Sequence, residues 1–174
     1  STYFSAPSRR ELYFIAIDTT GKEIQRMGSV TQLTTGETSS CIGCHEDRMA
    51  APSIKKLATP PASRKPLTIT PPPWGAGPMS FVKQVQPVLD RHCAGCHSGK
   101  TPKAELNLSG DKTRFFNMAY RNLIDRGLVK FYWLNAAPTG VFPAKQTGSY
   151  VSKLSAVLEA GHHKVKLSAD DKDA

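Results

Sequence analysis

Several things are scarce in this 174-residue chain, and each scarcity excludes something. No run approaches the roughly 18 apolar residues that a membrane-spanning helix needs. No nucleophile elbow, phosphate-binding glycine loop or HExxH pattern occurs, so serine hydrolase, P-loop and zincin chemistry have no support. No charged-then-apolar leader opens the chain. It therefore reads as either a cytosolic protein or the mature or excised part of an exported one. No long basic block occurs either, although 23 Lys and Arg against 14 Asp and Glu give a net charge of +9. The densest basic groups are only Lys55-Lys56, Arg64-Lys65 and Lys164 with Lys166. Scattered charge of this kind suits a solvated face or a docking face for an acidic partner better than nucleic-acid binding.

Proline and glycine, by contrast, are plentiful at 13 each. Both interrupt helices and strands, so long irregular connections and a lean apolar core are expected. Something besides side-chain burial is needed to hold such a chain together.

Cysteine is sparse but organised. All four cysteines fall in two copies of one pattern, Cys41-Ile42-Gly43-Cys44-His45 and Cys93-Ala94-Gly95-Cys96-His97. Two disulfides, one zinc site and two c-type haems compete as explanations. The histidines discriminate, because only 5 exist and 2 of them directly follow a CxxC. A zinc ribbon needs no histidine there, and a redox CxxC belongs beside a βαβ pattern that is absent. The haem reading uses every cysteine. Two thiols three residues apart reach the two vinyl groups on one edge of a porphyrin, and the next residue offers its imidazole to the iron. Cys41, Cys44, Cys93 and Cys96 are thus the expected thioether anchors, with His45 and His97 as proximal iron ligands. Two covalent haems would also serve as the missing core. Their attachment occurs outside the bacterial cytoplasm, which predicts a periplasmic or equivalent compartment.

Along the chain, residues 12–17 form an apolar run of strand length whose two faces should both be covered. The turn signal Asp18-Thr19-Thr20-Gly21 and the segment Lys22 to Val30 complete a hairpin. Residues 51–79 contain eight prolines and read as an extended connector. Ser80 suits the N-cap of a helix from Phe81 to about His92, with an apolar stripe of Phe81, Val85, Val88 and Leu89 and a kink at Pro87. A second helix is expected over Lys112–Arg126, burying Phe115, Phe116, Ala119, Tyr120 and Leu123. Phe131, Tyr132 and Trp133 read as core or haem packing. Ser149 should cap a third helix to about Glu159, stopped at Gly161. Asp170, Asp171 and Asp173 read as a solvated tail. The fold expected is mainly α and cytochrome c-like, with an N-terminal β-hairpin, long Pro-rich connections and two haems as core. Its parts are residues 1–50 with the first motif, the connector 51–79, and a helical domain 80–174 with the second motif.

The stretch Ser40-Cys41-Ile42-Gly43-Cys44-His45-Glu46 resembles the first haem motif of proteins related to the hydrazine synthase α-subunit. Val85-Gln86-Pro87-Val88-Leu89-Asp90, leading to Cys93-Ala94-Gly95-Cys96-His97, resembles their second. Gly148-Ser149, Leu154, Gly161-His162 and Leu167-Ser168 resemble the downstream signature, so the likeness spans most of residues 10–170. It implies an upstream β-propeller or other subunits, and a bis-histidine second haem whose distal imidazole is His162. His163 is the adjacent, less favoured choice. At the first haem the family's tyrosine ligand, one helical turn past the motif histidine, is replaced by Met49. That removes the signature of hydrazine chemistry and leaves ordinary ligation by His45.

The function expected is electron transfer by a periplasmic dihaem module with a redox partner protein. One alternative is an enzyme module whose first haem stays open to a small nitrogen or oxygen species. Another is an assembly subunit that stacks haems.

Overall fold

The computed structural model describes residues 2–27, 29–41, 64–130 and 143–173. The chain forms two compact units. One comprises Ser1–Thr70 with Tyr132–Gln146, the other Pro71–Phe131 with Thr147–Ala174.

The first unit is built on short antiparallel ladders. Strand β1 (Glu11–Leu12) pairs with β4 (Thr31–Gln32), and β2 (Ile15–Ile17) pairs with β3 (Glu23–Arg26), with an irregularity at Ala16/Ile17. The turn lies where the sequence signals it. Asp18 Oδ1 accepts from the Thr20 and Lys22 amides at 2.8 and 3.0 Å, and Gly21 takes φ +82°. An aspartate that satisfies successive amides substitutes for backbone partners that a tight turn lacks. Leu67, within the Pro-rich stretch, is no free connector: its amide donates to the Tyr3 carbonyl at 2.9 Å and its carbonyl accepts from Ser5 at 3.0 Å. The expectation that both faces of the 12–17 run are covered is not met. Tyr13, Phe14, Ile15 and Ile17 are all exposed, because a two-stranded ladder offers no second layer to pack on.

The second unit holds the helices. Residues Phe81–Val85 form a wide turn in which the Gln86 amide donates to the Phe81 carbonyl, and α1 (Gln86–His92) continues from it. The wide turn is the answer to Pro87. Proline has no amide to give a carbonyl four residues back, and widening the helix just before it removes the clash that an α-turn would create. Ser80 does not cap with its side chain; Gln84 Oε1 instead reaches back to accept from the Ser80 amide at 2.7 Å.

Helix α2 (Met118–Asp125) starts six residues later than the sequence suggests, because Asn117 caps it by accepting from the Tyr120 amide at 2.9 Å. Ala119 and Leu123 are buried as expected, but Phe115 and Phe116 lie ahead of the cap and are 76% and 55% exposed. Helix α3 (Lys153–Ala160) is preceded by Ser152 rather than capped at Ser149, and Gly161 ends it at φ +83°. Helix α4 (Ala169–Asp173) closes the chain.

Leu89, Leu108, Ala119 and Leu123 are the buried apolar core, with Phe81, Val85, Cys93, Leu106, Leu128, Val129 and Leu154 packed around it. Gln86 is buried beside this core and fully used: its amide nitrogen donates to Asp90 at 2.7 Å and to the Leu108 carbonyl at 3.1 Å, and its oxygen accepts from Asn117 at 2.8 Å. No helix among the described residues is long and apolar enough to cross a membrane.

Candidate haem-binding site

The second CxxCH motif grows directly out of α1. The Cys93 and Ala94 amides both donate to the Leu89 carbonyl, and the Cys96 and His97 amides both donate to Cys93, at 2.8 to 3.1 Å. The motif is therefore one more helical turn, which sets residues three apart on the same face. Cys93 is half-buried against the core, and burial pushes its thiol pKa up. Cys96 is exposed, and both are free thiols.

The turn is locked from the other side. The Lys103 amide donates to the Cys96 carbonyl at 3.0 Å, and the Leu108 amide donates to the His97 carbonyl at 2.6 Å. His97 Nδ1 lies 3.0 Å from the Lys103 carbonyl oxygen. A carbonyl only accepts, so Nδ1 carries the proton and donates. In the neutral ring Nε2 then keeps its lone pair, the state a metal-bound imidazole requires.

His162 lies nearby. Its ring centroid is 6.0 Å from that of His97, with the planes 24° from parallel. Two imidazoles on one metal put their centroids about 6 Å apart: two bonds of about 2 Å, plus about 1 Å from each nitrogen to its ring centre. Simple aromatic pairs span a similar range of roughly 4.5–7 Å. What distinguishes this pair is its company, a fixed tautomer and two unpaired thiols one turn away. These residues fit a covalent haem. His163 has φ +43° and lies edge-on to His162, with centroids 4.5 Å apart. The ring near-parallel to His97 is thus that of His162, at the position Gly161 frees by ending α3. Among the described residues, no group of three or more His, Cys, Asp or Glu side chains is placed to hold a metal ion by itself.

Sequence reasoning missed three supports of this site. The Lys103 carbonyl is one; no side-chain pattern announces a backbone acceptor. Arg126 is the second: its guanidinium donates to the Ala104 and Glu105 carbonyls at 3.4 and 2.6 Å, across a turn where both residues take left-handed backbone. Asp171 is the third. It is not a solvated tail residue, because its carboxylate accepts from Arg91 and, at 3.1 Å, from His92. A signal for it existed in Ser168-x-x-Asp171, a helix-start signature.

In the first unit Cys41 is exposed and lines a cleft of about 460 Å³ whose walls include Tyr3, Phe4, Phe14, Leu33 and Glu37. Cys44 and His45, with Met49 and the aromatic run Phe131-Tyr132-Trp133, lie outside the described residues.

Compared with known proteins, residues 1–46 match the family model of the hydrazine synthase alpha subunit middle domain. The match includes the first CxxCH; the second motif and Gly161-His162 lie beyond it. No curated protein and no solved structure matches the chain.

Proposed function

We propose that this chain is an extracytoplasmic c-type cytochrome module with two covalent haems, one per CxxCH motif, and that it transfers electrons to or from an acidic redox partner. Each haem, when bound, supplies a one-electron iron couple. The observation that carries the reading is the near-parallel His97–His162 pair beside the Cys93 and Cys96 thiols. In this reading Cys93 and Cys96 anchor the group. His97, held in rotation and tautomer by the Lys103 carbonyl, and His162 would hold its iron. Two neutral imidazoles favour low-spin iron and a lower potential than a His/Met pair. Cys41, Cys44 and His45 take the same roles at the first motif, and the scattered positive charge provides the docking face.

Denaturing mass spectrometry of protein made in a host that attaches haem should give the chain mass plus two haem masses. A mass matching zinc or disulfides alone would overturn the proposal.

The likeness of residues 1–46 to a synthase subunit favours a second reading, in which the first haem keeps an open face for a small nitrogen or oxygen species. The ferric spectrum separates the two. A high-spin component surviving in the intact dihaem protein supports the open site, and a wholly low-spin spectrum supports electron transfer alone.

A further inference from the structure

Helix α4 is five residues long, too short to be stable by itself. It is nevertheless tied into the fold by one carboxylate. Asp171 accepts from the Ser168 amide at 3.2 Å while its own amide donates to the Ser168 hydroxyl at 3.1 Å, a reciprocal box that starts the helix. The same carboxylate accepts from Arg91 and His92, the last two residues of α1, which directly precede Cys93. His162 lies between two anchors on this chain path. On one side is α3, pinned where the Leu154 amide donates to the Leu128 carbonyl at 2.9 Å. On the other side, six residues on, is the Ser168–Asp171 box. The segment between has few internal supports: the Val165 amide donates to the His162 carbonyl at 2.8 Å, and His163 and Lys164 both take left-handed backbone.

We propose that Asp171 is the positioning residue for His162. By clasping α4 to the end of the helix that delivers Cys93, it fixes the segment carrying the distal imidazole to the same element that carries the proximal one. Among the described residues, no other hydrogen bond joins the segment after His162 to α1. This inference rests on the bis-imidazole reading of the second haem. With haem bound, the clasp would set how often His162 leaves the iron.

Carbon monoxide binding to the reduced holoprotein reads that directly, because the ligand enters only after His162 departs. Asp171→Asn keeps the shape and removes the charge, and should speed carbon monoxide binding at the second haem on the order of tenfold. It should also leave two haems per chain by mass. Asp171→Glu should restore much of the slow binding. Arg91→Ala, at an exposed position, should shift the rate in the same direction by less and covers the case in which Asp171→Asn does not fold. His162→Ala identifies the phase belonging to this haem and should convert it to high spin. If His162→Ala leaves the low-spin spectrum unchanged, the bis-imidazole reading fails and this inference with it. If His162→Ala opens the haem while Asp171→Asn and Arg91→Ala bind carbon monoxide at the unaltered rate, the ligation stands and the positioning role is wrong.

Discussion

The unit containing α1 to α4 has a small closed core: Leu89, Leu108, Ala119 and Leu123 are all its residues. In the hairpin unit the buried side chains among the described residues are polar, Glu23 and Gln25, while Tyr13, Phe14, Ile15, Ile17, Val30, Leu67 and Ile69 are exposed. The two units therefore stand up by different means. The helical unit buries apolar surface and ties polar groups such as Gln86 into its margin. The hairpin unit relies on ladders, the Asp18 turn and the Arg26–Glu23 pair, in which Arg26 Nε donates at 2.7 Å. It leaves its apolar residues facing outward, the pattern of a surface meant to be covered.

Truncations test that contrast most severely. Leu123 is 3% exposed and Ile17 62%. Leu123→Ala should cost about 2–5 kcal/mol in denaturant unfolding of the protein. Ile17→Ala should stay within about 0.5 kcal/mol. Equal costs would erase the distinction between the units. Next in size, Gln86→Ala should cost about 1–3 kcal/mol by the same measurement, since it strands the Leu108 carbonyl and the Asn117 amide. A near-zero cost would show that the polar margin does not support the core.

A smaller effect concerns acid. The Arg91 guanidinium, then Ser168 and His92, hold the Asp171 carboxyl well below the ordinary carboxylate range. A depressed folded-state pKa contributes stability above the unfolded value near ~3.9, and that contribution is lost as pH falls through the folded value. The α4 clasp should hence persist at pH 4 and open only in stronger acid. Carboxyl NMR of Asp171 should show this low midpoint, and Arg91→Ala should move it upward. The smallest effect is a difference in thiol reactivity between Cys93 and Cys96. Cys96 is exposed while burial pushes Cys93 up, so an alkylating reagent should mark Cys96 first.

How much of this was legible beforehand follows the range of the interactions. The Asp18–Gly21 turn was readable because all its contacts lie within four residues. The stripe leading to Leu89 was readable because helical period brings its members onto one face. Helix α2 starts later than the apolar spacing through Phe115 and Phe116 suggests, because the capping oxygen of Asn117 decides the start. The third helix starts after Ser152 and not at Ser149, because Ser152 is the buried one; its hydroxyl donates to the Gly148 carbonyl at 2.7 Å and accepts from the Lys130 amide at 2.9 Å. The tie between Asp171 and His92 spans 79 positions, beyond any local pattern. The nearness of the His97 and His162 rings spans 65 positions, and His162 stands out in the sequence only through a family likeness and its place after the helix stop at Gly161.

The His97–Lys103 contact has an evolutionary consequence. Its acceptor is main chain, so no exchange of the side chain at position 103 deletes it, and the tautomer and orientation of the imidazole are sheltered from most point substitutions there. Drift in that property must come instead through the path of the chain, by way of residues that shape the turn at Ala104 and Glu105, such as Arg126. A lineage altering the set of the His97 ring should vary at 104, 105 and 126 while position 103 wanders freely.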